Sequence, residues 1–429
     1  MYWQAEFECM DRGELELLQL ERLQATLNRV TRNVPLYRTR FSDLGLDPYD
    51  FQSLEDVRKI PFTTKDDLRE HYPYGLFAVP LRDVVRMQGS TSTPGKPGVV
   101  GYTVGDIHRW SHLAARILVA GGVTKDDAVQ IAFNYGLYTS AFGIHSGAEL
   151  LGASVIPSSS SDAQRQILIM QDYRSTALTC SPSYALHLAD TLDELGINKT
   201  ALSLRFGLFG SEPWTEEMRQ EIEARLGILA TDNYGLSEIT SVAGECLQRD
   251  GLHINEDHFL AEIIDPLTGQ VLPVGHKGEL VLTTLTKEAF PLIRFRTGDL
   301  TTLMDSECAC GRTLRRMSRI PGRSDDMLII RGVNVFPSQI NEVIISTGLM
   351  DPHYQIVLDR VGQMDRATLC LEAPESFCTD SIKESQRILE NVRLRLQTAL
   401  GVTFEVRLVE PRSIDQQYGG RVLDKRTLI

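Results

Sequence analysis

Residues 176–180 read Thr-Ala-Leu-Thr-Cys and residues 206–209 read Phe-Gly-Leu-Phe, with the helix-like stretch Ser183–Leu195 between them. Short apolar runs of this kind are typical of buried strands. The same alternation extends to both sides, with strand-like runs at Ala128–Phe133, Ser154–Pro157 and Leu229–Asn233 and a helix-like run at Thr215–Leu226. Strands that alternate with helices predict a parallel sheet, so the sequence indicates an α/β fold.

The flanking regions have a different character. Apolar residues at helical spacing over residues 14–33 predict an N-terminal helix, and residues 258–305 predict antiparallel strands. After the polar segment Gly322–Asp326, the pattern predicts helix 337–346, strands 354–360 and 366–372, helix 380–399 and strand 404–410. We therefore predict a large N-terminal domain, residues 1–322, and a small C-terminal α+β domain, residues 323–429, that acts as a lid.

Composition excludes several classes of function. The chain has 429 residues, with 44 Lys and Arg against 57 Asp and Glu, so its net charge is −13. A charge of this sign argues against nucleic-acid and anionic-membrane partners. No apolar run approaches the roughly 18–20 residues of a membrane span, and the acidic N-terminus is unlike a signal peptide. We expect a cytoplasmic protein, and its seven cysteines do not suggest a disulfide framework.

Residues 90–97 read Ser-Thr-Ser-Thr-Pro-Gly-Lys-Pro, and the β-rich stretch Gly98–Thr103 follows. Backbone N–H groups, hydroxyls and one ammonium in such a loop suit the phosphates of a nucleotide. The alternative is a surface turn, which is the usual role of a Ser/Thr/Pro/Gly cluster.

Three cysteines and a histidine form a second candidate site, at Cys246, His253, Cys308 and Cys310. This set matches a closed structural zinc site, although the spacing is not that of a standard zinc finger. The alternative is four unrelated residues, with the cysteines as small buried apolar groups. His258 and His276 are predicted to be ordinary surface or loop residues.

Three further segments carry a family signature together with the loop at 90–97. They are Tyr-Gly-Leu-Ser-Glu at 234–238, Arg-Phe-Arg-Thr-Gly-Asp at 294–299, and the stretch Gly322–Pro337. In this order they resemble the motifs of the adenylate-forming superfamily of acyl-CoA synthetases. The stretches at 60–69, 181–187, 212–219 and 251–254 are similar to the phenylacetate-CoA ligases within it.

The resemblance implies a two-step ligase that uses ATP, Mg²⁺ and CoA and joins an aryl carboxylate to CoA through an acyl-AMP. It implies catalytic roles for Lys96, Glu238 and Arg323, with Glu238 also holding Mg²⁺ and Asp325 at the hinge. It implies nucleotide contacts for Ser90, Thr91, Ser92, Thr93, Ser211, Glu212, Asn233, Tyr234, Gly235, Asp299 and Arg323. The acyl pocket would be lined by Tyr135, Gly136, Phe142, Gly210, Ser211, Tyr234 and Gly235, a glycine-rich and aromatic set that suits a flat aromatic acid.

The sequence departs from the family pattern in two places. Ser92 and Pro94 stand where the family has glycine and threonine, and Gly419-Gly420-Arg421 stands where a catalytic lysine is expected. The first half-reaction could then be slow, use Lys425 or Arg421 instead, or be lost. Two alternatives stay open: an adenylating enzyme with an acceptor other than CoA, and a degenerate homologue that binds an aryl acid or nucleotide without turnover. The sequence leaves the oligomeric state open, with a homodimer as one option.

Overall fold

The structure is a computed structural model that describes residues 1–90, 98–137, 141–320, 322–323, 328–335, 337–347, 354–361, 364–372, 382–409, 414 and 422–426. Most of the described residues up to Arg323 form one compact unit, and those from Leu328 onward form another. The boundary that the sequence predicts after residue 322 stays a prediction. Among the described residues, no helix combines the length and the apolar content that crossing a membrane requires.

The helices that precede Arg323 include the predicted N-terminal helix, here α2, and the two helices predicted between the parallel strands, here α8 and α9. They are α1 Ala5–Glu8, α2 Arg12–Asn33, α3 Pro35–Leu44, α4 Lys65–Glu70, α5 Val104–Ala120, α6 Ala141–Leu151, α7 Ala163–Asp172, α8 Pro182–Glu194 and α9 Glu216–Leu226. Helix α5 begins with a capping box, in which the Thr103 and Asp106 side chains accept hydrogen bonds from each other's backbone N–H groups. This cap fixes the start of the helix directly after Thr103.

The strands of the first unit are β1 Arg86–Ser90, β2 Gly98–Tyr102, β3 Ala128–Ile131, β4 Ser154–Ile156, β5 Ala177–Cys180, β6 Phe206–Gly210, β7 Leu229–Leu236, β8 Thr240–Glu245, β9 Leu252–Ile254, β10 Phe259–Ile264, β11 Lys277–Thr284, β12 Phe295–Met304, β13 Arg316–Met317 and β14 Gly322–Arg323. Strands β1 and β2 form a separate antiparallel hairpin.

One mixed sheet carries the other strands, in the order β10-β11-β12-β13-β9-β8-β7-β6-β5-β3-β4, with β14 paired to β12. Strands β4, β3, β5, β6 and β7 are parallel, as their alternation with helices predicts. From β7 onward the neighbours are antiparallel, as predicted for residues 258–305. Every residue of β5 is buried, which explains why the parallel strands appear in the sequence as continuous apolar runs.

The second unit contains β15 Leu328–Ile330, β16 Val333–Val335, α10 Pro337–Ser346, β17 Tyr354–Val361, β18 Met364–Glu372, α11 Ile382–Leu400, β19 Glu405–Val409 and β20 Val422–Asp424. Its main sheet has the order β19-β18-β17-β20. The order along the chain from α10 to β19 confirms the predicted αββαβ succession. The sequence did not predict β20, which pairs in parallel with β17. The two units together confirm the predicted fold class.

Candidate active site

The carboxyl ends of neighbouring parallel strands bring several predicted site residues to one edge of the sheet. Tyr135 follows β3, Ser211 follows β6, and Asn233 lies near the end of β7. Gly210 pairs with Asn233, and a Cβ on Gly210 would lie 2.5 Å from the Asn233 carbonyl oxygen, so only glycine fits this approach. Ligands of open α/β sheets bind at this edge.

Tyr234, Asp299 and Arg323 converge although they are far apart in sequence. The Tyr234 hydroxyl donates to Asp299 Oδ2 over 2.7 Å, and the Arg323 guanidinium binds the other carboxylate oxygen. Arg323 also donates to the Thr297 carbonyl oxygen over 2.7 Å. Burial, reinforced by the Asp299 carboxylate, raises the pKa of Tyr234 well above its usual value, so its phenol stays protonated and donates. The result is a carboxylate held in a fixed orientation beside an aromatic ring.

Glu238 lies in the turn between β7 and β8, with 7% of its surface exposed. An irregular pairing between Tyr234 and Gly235 marks the place where β7 turns toward β8. Gly235 has no room for a side chain, because a Cβ would lie 2.5 Å from the Thr240 carbonyl oxygen. The turn therefore brings a buried carboxylate near the end of the strand that carries Tyr234.

Two residues that the sequence analysis missed hold this turn. Lys287 Nζ donates to the carbonyl oxygens of Glu238 and Ile239 over 2.7 and 3.3 Å, and the Tyr102 hydroxyl donates to that of Ser237 over 3.2 Å. A lone lysine close to the apolar run Phe290–Ile293 was the available sequence signal, because such a residue must find partners when it is buried.

The predicted acyl pocket has an aromatic wall. The rings of Tyr135 and Phe142 meet edge to face, with centroids 5.3 Å apart, and the Tyr135 hydroxyl lies 3.1 Å from His145 Nδ1. Burial raises the pKa of Tyr135, so its hydroxyl stays protonated. Gly136 follows Tyr135 directly in the chain, in the segment after β3.

The hydroxyl-rich loop is described only at its base. Ser90 pairs with Gly98 at the loop end of the β1–β2 hairpin and is buried. Of the predicted site residues, Thr91, Ser92, Thr93, Lys96 and Asp325 lie outside the described residues. The same holds for Gly419, Gly420 and Arg421 of the tail. Lys425 is exposed, and its backbone N–H donates to the Leu358 carbonyl oxygen over 2.7 Å.

The structure brings Cys246, His253, Cys308 and Cys310 together, with their ligand atoms all within 4.8 Å of one another. The Cys246 and Cys308 sulfurs are 3.7 Å apart, and Cys310 Sγ lies 3.4 Å from His253 Nε2. In tetrahedral zinc sites, metal–ligand bonds of about 2.3 Å to sulfur and about 2.0 Å to nitrogen place ligand pairs about 3.8 and about 3.6 Å apart. The two observed distances are close to these values.

The surroundings of this Cys/His cluster orient its ligands. His253 Nδ1 lies 3.4 Å from the Leu314 carbonyl oxygen, which leaves Nε2 directed at the cluster. Burial, with a smaller effect of the Arg312 charge, lowers the pKa of His253 to about 4, so the ring is neutral near pH 7. Four adjacent groups of these types suit Zn²⁺.

His258 lies in the turn between β9 and β10, in agreement with the predicted surface or loop position. It is nevertheless buried, with Nδ1 2.6 Å from Thr286 Oγ1 and Nε2 3.2 Å from Asp257 Oδ2. His276 is exposed, as predicted.

The chain matches two family models, that of the AMP-binding enzymes over residues 93–285 and that of the AMP-binding enzyme C-terminal domain over residues 332–426. It is 45% identical to the phenylacetate-coenzyme A ligase of Thermus thermophilus over 99% of this chain and 100% of that protein. It is 47% identical to the enzyme of the same name from Escherichia coli, over 98% and 97% of the two chains.

A crystal structure of 2-hydroxyisobutyryl-CoA ligase in complex with 2-HIB-AMP and CoA is similar over 99% of this chain and 92% of that one. The TM-score is 0.92 and the sequence identity 30%. With near-complete coverage of relatives at 45–47% identity, the chain belongs to the phenylacetate-CoA ligase family of AMP-forming acyl-CoA synthetases.

Proposed function

We propose that this protein activates an aryl carboxylate with ATP and transfers the acyl group to CoA. In the first step, a carboxylate oxygen of the acid attacks the α-phosphorus of ATP, the bond to the β-phosphate oxygen breaks, and acyl-AMP and pyrophosphate form. In the second step, the CoA thiol loses its proton and attacks the acyl carbon, and AMP leaves with the bonding electron pair. The names of the relatives support an arylacetic acid such as phenylacetate as the substrate.

The observation that carries the proposal is the prearranged group Tyr234, Asp299 and Arg323 at the carboxyl edge of the sheet. The two oxygens of Asp299 suit the vicinal diol of a ribose, and Tyr234 offers a ring beside the base. Both donors already orient the carboxylate, so nucleotide binding does not have to order it.

We assign the triphosphate to the loop that follows β1, with Ser90, Thr91, Ser92, Thr93 and Lys96 as its contacts. Glu238 would hold Mg²⁺, which when bound offsets the phosphate charge, because a carboxylate oxygen is a preferred ligand of this hard cation. Positioning then supplies most of the catalysis in such a phosphoryl-centre displacement.

We assign the acyl group to the wall formed by Tyr135 and Phe142, next to Gly136, Gly210 and Ser211. The edge-to-face pair leaves an aromatic surface on which a planar ring can pack. The relatives' substrate and this wall point to the same class of acid.

We also propose that the Cys/His cluster holds a structural Zn²⁺. All four positions are protein ligands, so no open position is left for a substrate. The metal would join the segment after β8, strand β9 and the loop at residues 308–310. The cytoplasmic location and the oligomeric state stay predictions of the sequence.

A pyrophosphate-release assay across phenylacetate, substituted phenylacetates, benzoates and a medium-chain fatty acid tests the proposal. We expect ATP- and acid-dependent release with arylacetates, and a CoA thioester by mass spectrometry when CoA is added. Release without a CoA thioester would favour another acceptor. Binding of ATP or the acid by calorimetry without any turnover would reject the ligase and favour the degenerate homologue.

A further inference from the structure

Lys287 is a buried cation for which the two-step mechanism above has no role. Its surface is 7% exposed, and its ammonium lies 4.6 Å from the centroid of the Tyr102 ring and 5.6 Å from that of Phe290. The nearby carboxylates of Asp106 and Glu238 favour the charged form, whereas burial disfavours it and lowers the pKa of Lys287 to about 8. A cation is costly to bury, and here its hydrogen bonds go to one backbone turn.

Three successive carbonyl groups of that turn accept hydrogen bonds from side chains of other segments. Lys287 binds the carbonyl oxygens of Glu238 and Ile239, and Tyr102 binds that of Ser237. The turn ends at Thr240, whose φ of 129° is one that a residue with a side chain rarely adopts. The donors thus hold the backbone of Glu238 in one orientation against local strain.

The segment that carries Lys287 is itself attached to the first turn of α5, next to the end of the β1–β2 hairpin at which Tyr102 pairs with Arg86. Asp106, in the first turn of α5, accepts hydrogen bonds from the backbone N–H groups of Glu288 and Ala289 over 2.7 and 2.9 Å. The Thr103 hydroxyl donates to the Glu288 carboxylate over 2.7 Å. Tyr102 is the last residue of β2. Its hydroxyl donates to the turn of Glu238, so this turn is linked both to the end of β2 and, through the Lys287 segment, to the start of α5.

We infer that Lys287 and Tyr102, here called the Lys287 clamp, are positioning residues that fix the Glu238 turn against strand β2 and the start of α5, so that the carboxylate is set for the Mg²⁺ of bound ATP. The inference rests on the proposed function of Glu238. Both clamp residues donate to the backbone of Ser237–Ile239 and act through it. An ordinary buried lysine would contribute to folding alone.

The test measures how ATP binding depends on Mg²⁺, by calorimetry on the full-length protein at a series of Mg²⁺ concentrations. The variants are Lys287→Met, Lys287→Arg and Tyr102→Phe, and the control is Lys277→Met at the exposed first residue of β11. We expect the half-saturating Mg²⁺ concentration to rise about tenfold in Lys287→Met and about threefold in Tyr102→Phe, as the loss of hydrogen bonds from a charged and a neutral donor implies. Lys287→Arg, which keeps a cationic donor, should recover part of the loss.

The outcomes separate the inference from the proposed function. Folded Lys287→Met and Tyr102→Phe proteins with the wild-type Mg²⁺ dependence would overturn the inference alone. A wild-type protein that does not bind ATP with Mg²⁺ would overturn both the inference and the assignment of Glu238. If Lys287→Met does not fold, Tyr102→Phe decides, because it keeps the ring under the ammonium and removes only the hydroxyl.

Discussion

The two ends of strand β8 are held by opposite chemistry. Before its first residue, Thr240, the chain is held by a buried ammonium and a phenol that donate to backbone carbonyl oxygens. After its last residue, Glu245, the chain enters a cluster of three thiols and an imidazole. The Lys287 clamp is complete within the protein, whereas the Cys/His cluster is proposed to hold a metal. We therefore expect perturbation of the clamp to change nucleotide chemistry, and perturbation of the cluster to change stability.

The largest expected effect is at the Cys/His cluster. Cys308→Ser should lower the free energy of unfolding by about 4 kcal/mol, the magnitude typical of losing a metal, because the three segments would lose the metal that joins them. Activity per folded molecule should stay within about threefold of wild type. Chemical denaturation together with elemental analysis of bound zinc measures both changes. Cys370→Ser is the control, since Cys370 lies outside the cluster. If Cys308→Ser is as stable as the wild-type protein and the wild-type protein contains no zinc, the proposed metal site is wrong.

The next effect concerns pH at the clamp. Burial lowers the pKa of Lys287 from 10.5 in the unfolded chain to about 8 in the folded protein. Between these values the unfolded state binds more protons, so deprotonation in the fold adds stability as pH rises, by on the order of 3 kcal/mol in total. The free energy of unfolding of wild type, minus that of Lys287→Met, should therefore rise from pH 8 to pH 10.

Denaturant titrations at pH 7, 8, 9 and 10 provide this difference, and Lys277→Met serves as the control. Taking the difference removes the groups that both proteins share. A difference that is flat or falls over this range would show that the folded protein does not lower the pKa of Lys287.

A third effect separates chemistry from stability at the clamp end. Glu238→Gln should lower the rate of pyrophosphate release about 100-fold at saturating Mg²⁺, because the carboxylate charge assigned to the Mg²⁺ of bound ATP is lost. Its free energy of unfolding should change by less than about 1 kcal/mol, since the donors to the turn bind the backbone. Stopped-flow pyrophosphate detection and denaturation measure the two quantities, with exposed Glu14→Gln as the control. Equal losses of stability and rate would assign Glu238 to folding.

The smallest effect tests the prearranged carboxylate. Tyr234→Phe removes the 2.7 Å hydrogen bond to Asp299 and keeps the ring. We expect the dissociation constant of ATP to rise about fivefold, as the loss of one hydrogen bond implies. Calorimetry measures it, and exposed Tyr173→Phe is the control. Unchanged affinity would mean that Arg323 alone orients the carboxylate.

The sequence predicts the parallel half of the sheet because each strand is a local apolar run, as β5 and β6 show. It predicts the Cys/His cluster because thiols and imidazoles are diagnostic even when their spacing is unusual. The meeting of Tyr234, Asp299 and Arg323 followed only from family resemblance, because β7, β12 and β14 come together through tertiary structure.

The Lys287 clamp escaped prediction for a physical reason. Lys287 and Tyr102 are far apart in the chain, and their shared target is backbone, which has no sequence signature. The burial of His258 in its loop escaped prediction for the same reason. Its partners Asp257 and Thr286 make burial of a polar ring tolerable, and only the fold supplies Thr286.

The most direct test of the central claim uses phenylacetate labelled with ¹⁸O in both carboxylate oxygens, together with ATP, Mg²⁺, CoA and the wild-type protein. Attack of the carboxylate on the α-phosphorus predicts AMP that carries one ¹⁸O atom and a thioester that keeps the other. Unlabelled AMP, or ¹⁸O in pyrophosphate or inorganic phosphate, would contradict activation through an acyl-AMP.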